Sequence, residues 1–188
     1  MKGTKKNIFE SAIKTISKNG YNGATMDVIA LNAGVAKGTL YYYFKSKEEI
    51  FNYIVNEGIK ELQQTVKEEL DKTSISRDKI KTLCYIHFKF INDNKDLFKI
   101  ILSQFWGQEI RHLNLQGLIS NYIKFIESYV KDAMDKNVIK KGDTCFIAST
   151  FLGMVLSASL YELLTKNSMD EEELSKNLIN YLINGINL

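Results

Sequence analysis

Apolar residues recur along this chain every three or four positions, while the alternation expected of strands is scarce. The pattern predicts an all-α fold of about nine helices. Ile8, Ala12, Ile13 and Ile16 mark one face of a first helix over Lys5 to Lys18, which Asn19-Gly20 stops. Thr25 is placed to cap a second helix, Met26 to Ala33, and a third runs from Ala36 to Tyr43. Ser46-Lys47-Glu48-Glu49 reads as a capping box for a fourth helix reaching Lys72. Ile80, Leu83, His87 and Ile91 share a side of a fifth, Arg77 to Asp93, and a shorter helix covers Lys95 to Phe105. A long helix then carries Leu115, Leu118, Tyr122, Phe125, Ile126, Tyr129 and Met134 and stops near Asn137. Gly142 marks a turn, with Asp143 as a cap. An uncharged stretch follows, and Ser168 to Glu171 opens a last helix striped by Leu174, Leu178, Tyr181 and Leu182.

Met26 to Lys47 has the layout of a helix-turn-helix. Ala30 is small enough to let a second helix approach, and Gly34 falls in the turn, where a positive φ suits glycine. Ile29, Ala33, Val35, Leu40 and Tyr43 fall where the two helices and the first helix share a core. Alone, this spacing also fits an ordinary helical hairpin. The third helix adds chemistry. Lys37, Gly38, Thr39, Tyr41 and Tyr42 are left near the surface, where Lys and Tyr suit phosphates and Thr39 suits a base edge or a thymine methyl. Lys47 brings a cation to the free N–H groups of a helix start, a natural phosphate clamp. Asp27 stands out as an acid at a groove-facing helix start: it either caps or repels phosphate.

Charge sharpens this picture. Of the 188 residues, the first 47 hold eight Lys against two acids, a net +6, whereas the remainder nets −3. A basic head on a mildly acidic body fits a polyanion partner for the head alone. Apolar residues at 45% permit a substantial core. Cys84 and Cys145 are far apart in apolar stretches, without the spacing of a zinc site, and are expected to be buried thiols in a reducing, cytoplasmic setting. No metal or cofactor is expected. The basic start lacks the apolar run of a secretory signal. Thr144 to Tyr161 is 18 residues without a charge, near the length of a membrane span. Its Ser149, Thr150, Ser157, Ser159 and Gly153 favour a buried helix instead, so no membrane partner is expected.

Gly20-Tyr21-Asn22-Gly23-Ala24-Thr25, Ile29-Ala30, Ala33-Gly34-Val35, Lys37 to Phe44 and Lys47-Glu48 together resemble the DNA-binding head of the TetR family of transcriptional regulators. The resemblance is dense over residues 5–51. It implies a DNA-binding domain over 1–46 and a ligand-binding and dimerisation domain over 47–188. It also implies an inverted-repeat operator in double-stranded DNA, a homodimer and a small-molecule effector that releases a repressor. Two recognition helices then reach successive major grooves about 34 Å apart. By position, Thr25, Tyr41, Tyr42 and Lys47 look like backbone contacts, and Lys37, Gly38, Thr39 and Tyr42 like the base-reading surface. Ala36 departs from the family, where a serine often caps the third helix.

Ser149, Gly153 and Ser157 place three small residues on one helical face, suited to close packing within a subunit or between two. In the family the last two long helices pair across a dimer, which points to Thr150, Gly153, Met154, Ser157, Tyr161, Leu178 and Leu182. Candidate effector contacts are Tyr85, His87, Phe88, Phe105, Trp106, Tyr122 and Phe125, residue types that at such positions are more often plain core. They favour a hydrophobic or aromatic effector. The layout around Ile139 to Asp143 resembles family members that sense fatty-acyl compounds. An enzyme is not expected: the chain has two histidines and no nucleophile, metal or phosphate-loop motif. The remaining alternative is a helical protein-interaction module that binds no DNA.

Overall fold

The computed structural model describes residues 3–73, 76–105, 115–165 and 170–184. Among them there are nine helices and no strand: α1 (Thr4–Gly23), α2 (Met26–Asn32), α3 (Lys37–Tyr43), α4 (Lys47–Lys72), α5 (Ser76–Asp93), α6 (Lys95–Phe105), α7 (Leu115–Asp135), α8 (Thr144–Thr165) and α9 (Glu171–Asn184). They form two compact units, Met1–Lys60 with Asn94–Leu118, and Glu61–Asp93 with Ile119–Leu188.

Local chemistry accounts for most helix ends. Thr25 Oγ1 accepts the Val28 N–H at 3.2 Å and starts α2. Gly34, at φ 66°, closes α2: its N–H reaches the Leu31 carbonyl while Val35 N–H reaches that of Ala30. Asn137, at φ 55°, ends α7 in the same way, with Val138 N–H on the Ala133 carbonyl. Ser46 Oγ accepts from Glu49 N–H at the start of α4, but Glu49 returns its carboxylate to Lys45 N–H at 2.6 Å, one residue earlier than a standard capping box. Asp143 caps α8 through Phe146 N–H at 2.9 Å. Ser168 lies outside the described residues. Gly20 interrupts α1 as expected, although its φ 71°, ψ 168° is an extended mirror conformation instead of a left-handed helical one, so helical turns resume up to Gly23.

In the first unit Ile8, Ala12 and Ile16 of α1, Ile29 of α2 and Leu40 of α3 are all buried, with α1 packed on α2 and α2 on α3. Ile29 and Leu40, fully enclosed, each contribute roughly 1.5–3 kcal/mol of transfer free energy. Ala33, Val35 and Tyr43 are only half-buried at the edge of this core. Ser11 Oγ donates to the Ile29 carbonyl at 2.8 Å and pins α1 to α2. Phe44 is buried beside Tyr53 of α4, and Tyr21 stacks edge-on to Phe51. α6 also packs on α1, where Ser17 Oγ donates to Asp96 at 2.7 Å. Gly58 of α4 admits Leu97 so closely that an added Cβ would stand 2.5 Å from its Cδ2.

In the second unit α5 packs on α8 and α9. Leu83, Cys84, Ile86, Phe88, Ile126, Val130, Phe151, Val155 and Leu174 build its interior. Burial pushes the Cys84 thiol up to about 12, so it is inert at neutral pH. Cys145 departs from expectation and is exposed. The reason lies in α8, which buries Ala148, Phe151, Val155 and Ser159 and leaves its other side open. Only 22% of its apolar Thr144–Glu162 stretch is buried, so the expected buried helix is buried along one stripe alone.

Candidate functional site

α2 and α3 bring five of the expected DNA contacts to one outward surface. Lys37, Gly38 and Tyr42 are exposed, Tyr42 at 75%, with Tyr41 beside them and Thr39 half-exposed. Their spacing along one short helix places Lys37, Gly38, Tyr41 and Tyr42 on a common side, because residues four apart are stacked neighbours. Leu40 and Phe44 anchor the opposite side in the core. The Tyr42 ring leans edge-on against Tyr43 at 5.2 Å, which limits its rotamers without covering its hydroxyl end. Nothing lies within 4 Å of where a Gly38 Cβ would be, so the open space over α3 is not needed by the subunit itself. Ala36 provides no side-chain cap, as its residue type requires.

Thr25 and Lys47 flank this surface and have partners of their own. The Thr25 hydroxyl accepts from Val28 N–H, which leaves its O–H proton to donate. The Lys47 ammonium donates to the Tyr21 carbonyl and lies 4.3 Å over the Tyr21 ring. An ammonium has three donors, so this contact orients Lys47 without exhausting it. The helix start beside it is less open than the sequence suggests, because Ser46 already takes the Glu49 N–H. One contact was not foreseen: the Lys37 ammonium sits 2.7 Å and 3.0 Å from the two carboxylate oxygens of Asp27. That hydrogen bond, with the added attraction of the charge, raises the Lys37 pKa.

The aromatic candidates in the body do not form one group. His87, Tyr122 and Phe125 come together in the second unit, joined by Phe151 and Tyr129. The Leu83 carbonyl, 2.6 Å from His87 Nδ1, can only accept, so Nδ1 carries the proton. Nε2 then accepts the Tyr122 hydroxyl at 2.7 Å. Burial lowers the His87 pKa to about 4, against the opposing effect of the Leu83 carbonyl, and burial raises that of Tyr122 well above its usual value. The pair is therefore neutral and fully satisfied. Phe88 is buried nearby in sequence, whereas Tyr85 faces outward. Phe105 ends α6, and Trp106 lies outside the described residues. Ser175 Oγ is buried with no hydrogen-bond partner among the described residues, a polar position that α9's sequence did not single out.

On α8, Thr150, Gly153 and Ser157 are exposed, Tyr161 is half-exposed and Met154 is half-buried. Among the described residues nothing lies within 4 Å of a Cβ added at Gly153, so none of them packs against the small-residue face there. Phe146 and Leu164, exposed at 71% and 74%, extend the same stripe, and Tyr181 of α9 is exposed as well. These three were missed, although Phe146, Thr150, Gly153, Ser157, Tyr161 and Leu164 follow a regular spacing of three and four. Leu178 lies buried within the subunit instead of on the open side, while Leu182 belongs to the last turn of α9. No group of three or more metal-ligating side chains occurs among the described residues.

A helix-turn-helix whose second helix is anchored inward by Leu40 and bare outward defines a DNA-binding protein of the two-helix type. The sequence profile of the bacterial regulatory proteins of the tetR family matches residues 8–54. A candidate fatty acid metabolism regulator from Clostridium perfringens shares 36% identity over 97% of this chain and 99% of its own, with a TM-score of 0.88. The fatty acid metabolism regulator protein of Bacillus subtilis is 24% identical over 95% of this chain and 93% of its own. The structure of Bacillus subtilis FadR in complex with stearoyl-CoA aligns over 97% of this chain and 99% of that one, at 23% identity and a TM-score of 0.85. The chain belongs to the TetR family of transcriptional regulators. Such regulators bind operator DNA as dimers and answer to small-molecule effectors, which sets aside the reading as a DNA-free interaction module.

Proposed function

We propose that this protein is a cytoplasmic repressor whose operator affinity falls when it binds the coenzyme A thioester of a fatty acid. The observation that carries the effector class is the interior of the second unit. Its buried residues are apolar or aromatic, and the polar ones, His87, Tyr122, Ser159 and Ser175, are neutral. Such an interior suits an alkyl chain and would exclude a charged one. The likeness to fatty acid metabolism regulators from Clostridium perfringens and Bacillus subtilis supports the same class. His87, Phe88, Tyr122 and Phe125 are the contacts this reading favours, with Tyr85 the weakest of the aromatic candidates because it faces outward.

In this reading residues 1–46 form the DNA-binding domain, joined by Lys47 at the start of α4, and 47–188 bind the effector and the second subunit. Thr25, Tyr41, Tyr42 and Lys47 hold phosphates, while Lys37, Gly38, Thr39 and Tyr42 meet base edges. The partner subunit covers the open α8 face, with Phe146, Leu164 and Tyr181 added to Thr150, Gly153, Met154, Ser157 and Tyr161. The test uses purified protein and a duplex that it selects from fragmented DNA near physiological salt. Stearoyl-CoA is expected to weaken binding roughly 5- to 150-fold, whereas coenzyme A alone leaves it unchanged. If acyl thioesters from two to eighteen carbons all leave binding unaltered, the effector class is wrong, although the DNA-binding assignment stands.

A further inference from the structure

Between Thr25 and Phe44 the chain carries two charged residues, Asp27 and Lys37, and they are bonded to each other. Lys37 Nζ contacts both carboxylate oxygens, at 2.7 Å and 3.0 Å. Asp27 stands in the first turn of α2, where a carboxylate suits the helix dipole. Lys37 is the first residue of α3, where a cation is disfavoured and no acid of α3 offsets it. Both side chains are more than half exposed, so the pair adds little to folding stability. Its consequence is electrostatic: the helix pair that carries the candidate DNA-reading surface presents no net charge, while the surrounding head is basic.

We infer that Asp27 determines specificity: by holding the Lys37 ammonium, it keeps the recognition surface from retaining duplex through phosphate attraction alone. The inference rests on the DNA-reading assignment proposed above. Phosphate oxygens only accept hydrogen bonds, so they satisfy Lys37 but are repelled by Asp27. The major-groove edge of a G·C pair offers both acceptors, guanine O6 and N7, and a donor, cytosine N4. A base edge of that kind can engage the ammonium and the carboxylate together. The pair thus favours a partner with mixed donors and acceptors and penalises one with acceptors only. Without Asp27, the Lys37 ammonium is free to turn from the base edges to the nearest phosphate, and it then acts on every sequence.

The test compares the full-length wild type, Asp27→Asn, and the reversed pair Asp27→Lys with Lys37→Asp. Each is titrated across a salt series against two probes: a duplex enriched by the wild type from a random library, and a scrambled duplex of equal length and composition. Asp27→Asn is expected to bind the scrambled duplex roughly five- to tenfold tighter, with a salt slope steeper by about 0.9. Its affinity for the enriched duplex should change less than twofold, so discrimination falls five- to tenfold. The reversed pair is expected to restore the wild-type slope on the scrambled duplex, since the helix pair is neutral again. Equal changes on both duplexes, no change on either, or a reversed pair that keeps the steep slope would each overturn the inference. If the wild type enriches no sequence, the DNA-reading assignment fails and takes this inference with it. If the wild type discriminates and Asp27→Asn does so equally well, only the inference fails.

Discussion

Tyr42 on α3 and Phe146 on α8 are almost equally exposed, at 75% and 71%, yet they stand on surfaces of opposite chemistry. Around Tyr42 lie a hydroxyl-rich helix and the cations of a +6 head. Around Phe146 runs a helix without a single charge from Thr144 to Tyr161. Water can solvate the first surface, and a polyanion can replace that water. The second loses apolar area to solvent until another apolar surface covers it. Exposure is nearly the same at both positions, and the surrounding polarity decides which kind of partner suits each surface. Two glycines make the same point. Gly38 and Gly153 both sit in helices with open space where a side chain would be, so no described neighbour requires either to be small.

Filling the space over Gly153 has the largest expected effect. Gly153→Leu should weaken dimerisation by about 2–6 kcal/mol, since two overpacked sites meet across a symmetric interface. The isolated subunit should keep its fold. Sedimentation equilibrium reads the result, and a variant as dimeric as wild type would mean that another face pairs the subunits.

The interior beneath the α8 face stays uncharged only while His87 is neutral. Its folded pKa, about 4, lies below the unfolded value of 6.5, so the unfolded chain binds the extra proton. Stability therefore falls as pH drops from 6.5 towards 4, by about 3 kcal/mol from this group. Gln at position 87 can still accept the Tyr122 hydroxyl but does not titrate. Urea unfolding between pH 7 and 4.5 should show wild type losing about 2 kcal/mol more stability than His87→Gln. Parallel slopes would place a charged imidazole in the folded protein.

Smaller effects separate the two kinds of contact on the head. Gly38→Ala should raise fold stability by up to about 1 kcal/mol, because Ala is the better helix former. It should nonetheless weaken binding of a selected duplex by roughly 1 kcal/mol, as the added methyl holds α3 off the groove. Melting and fluorescence anisotropy on the same preparation must move in opposite directions for the reading to survive. Lys47→Ala is the mildest. It should weaken all duplexes alike and flatten the salt slope by about 0.9. A loss confined to one sequence would move Lys47 from the backbone to the base edges.

Much of this architecture was legible beforehand because its signals are local. Helix ends follow from residues within a few positions of one another: Thr25, Gly34, Ser46, Asn137 and Asp143 each act on neighbours in the chain. The candidate DNA contacts from Lys37 to Tyr42 fall on one surface for the same reason, since one short helix displays them. The body resisted. Tyr85, His87 and Phe88 are consecutive or nearly so, yet one faces water and two are enclosed. Leu178 and Tyr181 share a helical stripe on paper, and only Tyr181 is open. Periodicity reports that a face is apolar, but it does not report what covers that face.

The order of amino acids by itself determined the helices, the turn at Gly34 and the chemistry presented by α3, because backbone capping and helical period act over a few residues. Three things were decided only by the tertiary structure: that α8 is covered on one side alone, that His87 and Tyr122 meet across 35 residues as a neutral pair, and that Asp27 holds Lys37. Each depends on which helix faces which. That is set by packing of side chains distant in sequence, where a rotation of one helix exchanges a buried residue for an exposed one.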